Sequence, residues 1–172
     1  MSTCPHIQVF LDRWSKATDG ETFQAFSTLK EKLAQSKRPN RETERRWKFA
    51  DFTVRVIAPH ILDKLELPEE AQQLREMPEV CLMNSRATLR GLQEIQDRHR
   101  VKGLSPAFWW KASGVQAICD VAKHSVEFAP SSSANSAAFA ASALDVVSLS
   151  RARKNAYCEL TPQAVKLIKG ML

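Results

Sequence analysis

Hydrophobic residues recur at intervals of three and four along most of this chain, which is the spacing of one face of an α-helix. The clearest case runs from Arg41 to about Leu65, where two apolar stripes lie side by side. One stripe comprises Trp47, Ala50, Val54, Ile57, Ile61 and Leu65, and the other comprises Phe49, Phe52 and Val56. Because a helix that is apolar on two faces is typical of a buried position, we expect this one to run through the centre of a bundle.

Prolines divide the rest of the chain into further predicted helices. Pro59 interrupts the central pattern and predicts a kink or break near Ala58, because proline lacks an N–H and its ring clashes with the preceding turn. Pro68 and Pro78 are each expected to begin a helix, the second running to about Arg100. In that second helix we expect Val80, Met83, Ala87, Leu92 and Ile95 to face inward, and Arg86, Arg90, Gln93, Asp97 and Arg98 to face outward.

Two serine or threonine caps followed by proline, Ser105-Pro106 and Thr161-Pro162, predict two more helix starts. Further helices are predicted for Glu21–Ser36, with Asn40 capping the central helix, and for an alanine-rich segment from Ala134 to about Tyr157. No segment alternates apolar and polar residues with the period of a strand. The predicted fold is therefore all-α, an irregular bundle of about seven helices forming a single domain over residues 1–172, with residues 1–20 packed loosely.

Composition places the chain among ordinary globular proteins and predicts no cofactor. Its 172 residues are 44% hydrophobic and 26% charged, and a chain of that size buries a core of its own. The first residues show no signal peptide and no segment is apolar enough to span a bilayer, so we expect a cytoplasmic protein. The cysteines form no close pair of the kind that zinc sites use, so free, mostly buried thiols are expected and no metal. They are Cys4, Cys81, Cys119 and Cys158.

The formal net charge is +6, and the positive excess lies toward both ends of the chain. The densest basic run surrounds Trp47, and it is either a solvated helix end or a patch that binds an acidic protein or nucleic acid. Its members are Arg41, Arg45, Arg46 and Lys48, and a second candidate patch holds Arg151, Arg153 and Lys154. Trp14 and Trp110 could anchor a partner, because Trp and Arg are enriched in binding hot spots.

Other constellations favour structural roles over chemistry. Asp51 and Arg55 stand four residues apart, which predicts an ion pair that fixes helix packing, although a charged site on an apolar wall is the alternative. His124 has no nucleophile or metal ligand at a useful spacing, and no nucleotide-binding or hydrolase signature occurs. A helix-turn-helix drawn through Glu79–Arg100 and Ser105–Phe128 would begin its recognition helix with aromatic residues, which argues against DNA reading.

Two stretches resemble a known family. The first, a W-x-x-A-D-x-x-x-R-V pattern, is carried by Trp47, Ala50, Asp51, Arg55 and Val56, and the second is the alanine-rich segment 134–143 with Ala152 and Ala156. Together they resemble immunity proteins of bacterial polymorphic toxin systems, across residues 44–157 at most. The chain differs from that family at Asn135, Ser136 and Asp145, and it lacks the usual histidines of the alanine-rich helix. The resemblance implies a helical cytoplasmic protein that neutralises a cognate toxin.

Three hypotheses of function follow. The first is a non-catalytic module that binds another protein, possessing no cofactor and resembling an immunity protein. The alternative is a basic accessory or regulatory protein of phage, plasmid or host that associates with nucleic acid, for which a steep salt dependence of binding is expected. The third is an enzyme with a dispersed site, which would require a pocket where carboxylates and histidine converge.

Overall fold

The computed structural model describes residues 41–100, 106–130 and 153–172, together with a few single helical positions between 24 and 35. These residues are mostly helical and contain no strand, which confirms the all-α prediction for them. The described part contains five continuous helices, the first of which comprises two α-helical segments joined by a π-helical turn, so the predicted count of about seven is not confirmed. None of the helices found in it combines the length and apolarity needed to cross a bilayer.

The chain order of the elements is simple. α1 (Glu42–Phe52), a π-helical turn (Thr53–Ile57) and α2 (Ala58–Lys64) follow one another without interruption, and we call them together the central helix. α3 (Pro68–Arg75) comes next, and a link through residues 76–84 ends in a short 3-10 turn (Leu82–Asn84). The remaining helices are α4 (Ser85–Arg98), α5 (Pro106–Phe128) and α6 (Arg153–Met171).

The central helix is surrounded by its neighbours. α3, α5 and α6 all pack against it, and α4 packs on α5. α6 is antiparallel to it, because Arg45 contacts Met171 at one end and Lys64 contacts Glu159 at the other. Most residues of both predicted apolar stripes are buried, while Trp47 and Val56 are partly buried against the core. The sequence pattern therefore identified the centre of the fold correctly.

Pro59 does not break the central helix. The helix continues through it to Lys64, and the irregularity lies one turn earlier, in the π-helical turn. There the Ala58 N–H donates to the Thr53 carbonyl, five residues back. A π-helical turn is wider than an α-helical one, so it makes room for the proline ring and accommodates the hydrogen bond that Pro59, lacking an N–H, cannot donate. We attribute the continuity of the helix to this turn.

The helix expected to begin at Pro78 begins instead at Ser85. Residues 76–84 form a link in which Asp51 accepts the Val80 N–H and Asn84 accepts the Cys81 N–H. Cys81 is extended, with φ −148° and ψ 176°, so no helix runs through it. Met83 and Ala87 are consequently exposed, contrary to the prediction that they face inward. Val80, Leu92 and Ile95 are buried, as predicted.

Thr161-Pro162 also fails to begin a helix, because α6 runs through it from Arg153 to Met171. Pro162 is exposed, whereas Leu160, Ala164 and Ile168 are buried in the core on the same helix. Core packing therefore holds this segment helical on both sides of the proline. Predictions for residues 1–20, for Asn40, for most of Glu21–Ser36 and for the alanine-rich residues 134–152 lie outside the described residues.

Gly114 sets how closely α5 approaches the end of the central helix. A Cβ added there would lie 3.0 Å from Leu65 Cδ1 and 3.1 Å from Leu65 Cδ2. We expect Gly114→Ala to lower the free energy of unfolding by about 1 kcal/mol, because overpacking outweighs the gain in helix propensity.

Urea unfolding followed by circular dichroism measures the effect of Gly114→Ala. The matched control is Gly170→Ala, since a Cβ there meets nothing within 4 Å. Equal stability of the Gly114→Ala variant and the parent would contradict the close approach.

Candidate partner-binding surface

Arg45 and Arg46, two members of the densest basic run, are buried. Arg45 is 2% exposed and Arg46 is 8% exposed. Arg45 Nε donates to the Met171 carbonyl at 3.0 Å, and Arg46 Nε donates to the Ala129 carbonyl at 2.7 Å. These carbonyls lie at the ends of α6 and α5, where the helix dipole favours a cation. The two arginines therefore tie three helices together, which corrects the expectation that they face solvent.

The remaining candidates for partner binding are scattered. Lys48 donates to the Gly170 carbonyl at 2.9 Å and pairs with Glu44, so of the first predicted patch only Arg41 is exposed. Arg151 and Trp14 lie outside the described residues. Arg153, Lys154 and Trp110 lie on described helices, but their side chains are outside the described part. The first predicted patch is therefore not a continuous basic face.

Asp51 and Arg55 form a bidentate ion pair on the central helix. Arg55 Nε donates to Asp51 Oδ1 at 2.6 Å and Nη2 donates to Oδ2 at 2.9 Å. The hydrogen bond to Asp51 raises the pKa of the Arg55 guanidinium. Asp51 Oδ1 also accepts the Val80 N–H at 2.8 Å, and Arg55 Nη1 donates to the Met77 carbonyl at 3.4 Å. The pair thus fastens the link 76–84 to the central helix.

Further hydrogen bonds fix the 3-10 turn at the end of that link. Asn84 Oδ1 accepts the Cys81 N–H at 2.9 Å, and Asn84 Nδ2 donates to the Glu79 carbonyl at 2.7 Å. Ser85 Oγ donates to the Leu82 carbonyl at 2.9 Å. These hydrogen bonds fix the backbone before and after two large apolar residues, Leu82 and Met83.

Those two side chains point into solvent. Leu82 is 66% exposed and Met83 is 95% exposed. Three more exposed residues follow on α4, at positions 86, 87 and 90, and helical spacing puts these three on one side of that helix. We call this group the Met83 surface, and it comprises Leu82, Met83, Arg86, Ala87 and Arg90.

Helical periodicity predicts Arg86 and Arg90 on the outward side, as the structure has them, but it also predicts Met83 inside, so this surface was not expected from the sequence. Asn84-Ser85 was the available signal, since Asn and Ser are preferred at helix N-termini. Trp109 is also 60% exposed, but it lies in the first turn of α5. Because Gln93 pairs with Lys123 and Gln96 with Gln116, α4 and α5 are antiparallel. The first turn of α5 therefore lies away from the start of α4, and Trp109 is not part of the Met83 surface.

The cysteine and histidine side chains considered next are buried in the core or paired between helices. Burial raises the pKa of the Cys119 thiol to about 12, which leaves it protonated and unreactive. His99 Nε2 lies 2.9 Å from Glu70 Oε1, which joins the end of α4 to α3. Within the ranges that the structure describes, no three His, Cys, Asp or Glu residues are grouped to hold a metal ion.

One open cleft of about 560 Å³ lies along α3. It contains two carboxylates, but no histidine is among the residues that line it. Those residues are Pro68, Glu69, Gln72, Gln73, Glu76 and Met77. The convergence of carboxylate and histidine that the enzyme hypothesis requires does not occur in this cleft.

Comparison with known proteins gave no relative: no protein-family model, no curated protein and no solved structure matches this chain.

Replacing Arg46 with methionine tests whether its guanidinium holds α5 against the central helix. We expect Arg46→Met to lower the free energy of unfolding by about 2–3 kcal/mol, because the Ala129 carbonyl loses a charge-assisted hydrogen bond in a buried place. Urea denaturation measures this, with Lys166→Met on the exposed side of α6 as control. A loss no greater than that of the control would show that Arg46 has no such role.

His60 makes stability depend on pH. Burial lowers its pKa below the ordinary value of 6.5, an effect reinforced by Lys64 and opposed by Glu159. His60 Nε2 lies 2.8 Å from Glu159 Oε2, but the two are not aligned as a hydrogen bond. Because the unfolded chain then binds a proton more readily than the folded chain, this contribution to stability falls as pH drops below 6.5.

We expect the parent protein to lose more stability between about pH 7.5 and about pH 5.5 than the His60→Gln variant does. Urea unfolding of both proteins at the two pH values measures the difference. Identical pH slopes for the two proteins would refute the assignment to His60.

Proposed function

We propose that this protein is a binding module for another protein and conducts no reaction of its own. The observation that carries the proposal is the exposure of Leu82 and Met83 on a turn with a hydrogen-bonded backbone. Large apolar side chains gathered on a surface are typical of interaction sites. Methionine and arginine are both enriched at protein interfaces, and the Met83 surface contains both.

The ordered backbone around Leu82 and Met83 supports a role of these two side chains in binding. The turn is held by Asn84 and Ser85, and the link before it is held by Asp51 on the central helix. A surface that is already ordered loses little conformational entropy when a partner binds, so more of the contact energy appears as affinity.

The resemblance to immunity proteins supports a more specific proposal, in which the partner is a toxin. Asp51 and Arg55 belong to the W-x-x-A-D-x-x-x-R-V pattern, and in this structure the same two residues hold the link that leads to Leu82 and Met83. The aspartate and arginine of this pattern therefore have a physical role in this chain: they position the surface that would contact the toxin.

Co-expression tests this proposal. We expect that the reading frame directly upstream arrests growth when it is expressed alone, and that the parent protein restores growth. Met83→Asp should fail to restore growth although its unfolding curve is unchanged, since Met83 is 95% exposed. Gln163→Asp, on the exposed side of α6, is the matched control and should act like the parent.

Two outcomes count against the proposal. An upstream product that is harmless when expressed alone removes the toxin-neutralising role. A Met83→Asp variant that restores growth as well as the parent removes the Met83 surface from that role.

A further inference from the structure

Arg86 and Arg90 differ from most other arginines of the described part. Arg45, Arg46, Arg55, Arg75 and Arg98 each donate hydrogen bonds to other groups of the chain. Arg86 and Arg90 are exposed, and within the described ranges neither forms an ion pair or a hydrogen bond. Their guanidinium groups are free to bind an external acceptor.

Arg86 also stands where local electrostatics disfavour it. It lies in the first turn of α4, which contains no acidic residue. The N-terminal end of a helix is positive, so a cation there is repelled and an anion is attracted. α3 follows the favourable arrangement, with Glu69 and Glu70 in its first turn. A residue that breaks a local preference without an intramolecular compensation is typical of a functional position.

No carboxylate of the described residues forms an ion pair with either arginine. Glu79 acts electrostatically on Arg55 of the central helix and forms no ion pair with Arg86. Glu94 is exposed one turn beyond Arg90 but forms no ion pair with it in the described structure. The start of α4 therefore presents two free cations that follow two exposed apolar side chains in the chain.

We propose that the Met83 surface binds an acidic protein segment that carries a large apolar side chain between its carboxylates. The apolar side chain packs on Leu82 and Met83, and the carboxylates accept bidentate hydrogen bonds from Arg86 and Arg90. This inference rests on the proposed function and adds the chemistry of the partner. A protein segment fits better than nucleic acid, because Leu82 and Met83 offer no planar ring on which bases stack and only two cations are present.

Selection from a displayed library of short random peptides tests the inference, with the purified full-length chain as bait. We expect the selected peptides to be rich in Asp and Glu around a Leu, Phe or Trp. Affinity should fall by about tenfold or more for Arg86→Glu/Arg90→Glu, and also for Met83→Asp. Lys166→Glu/Lys169→Glu changes the net charge equally on α6, and binding of the same peptides should survive it.

The possible outcomes distinguish the acidic partner from the more general proposal of a protein-binding module. Peptides that need Met83 but bind Arg86→Glu/Arg90→Glu equally well overturn the acidic partner and leave the binding module standing. Peptides whose affinity is indifferent to Met83→Asp and to the arginine changes overturn both. Binding of single-stranded oligonucleotides or anionic vesicles that is lost on arginine reversal, with no acidic peptide selected, overturns the protein partner in favour of a polyanion.

Discussion

The burial of most of the central helix is the constraint on which the rest of this structure depends. A buried polar group without a partner is costly, so the charges that the packing covers must be satisfied by the chain itself. Arg45 and Arg46 meet the constraint at the carbonyl ends of α6 and α5. Asp51 and Arg55 meet it through each other and through the link 76–84. The same hydrogen bonds that satisfy these charges fix where the neighbouring helices end and how the link runs.

This constraint explains which parts of the fold were predictable from sequence. The apolar stripes of the central helix and the start of α3 at Pro68 depend on residues close together in the chain, so periodicity and proline were sufficient. The course of the link that precedes α4 depends on Asp51, whose partner Val80 is 29 residues away. The burial of Arg45 depends on a carbonyl 126 residues away. Local patterns contain no information about such partners.

The candidate site shows the same division. A dense run of basic residues predicts an exposed patch when each helix is considered alone. Because this run lies on the central helix, neighbouring helices bury Arg45 and Arg46. Arg86 and Arg90 are sparse in sequence, and they remain exposed because α4 packs on α5 with its other side, through Leu92, Ile95 and Gln96. Density of charge along the chain was therefore a poor guide to the surface, whereas the amphipathic pattern of α4 placed both arginines correctly.

The anchoring of the Met83 surface separates the residues that build it from those that would contact a partner. Asp51, Arg55 and Asn84 hold the turn, and their loss would disturb the link whatever the partner is. Leu82, Met83, Arg86 and Arg90 are exposed and contribute little to folding, so their identity can change without a penalty in stability. A scaffold with that division can change its partner by changing the exposed residues alone. This is the property that a protein needs if it must follow a changing acidic partner while keeping one fold.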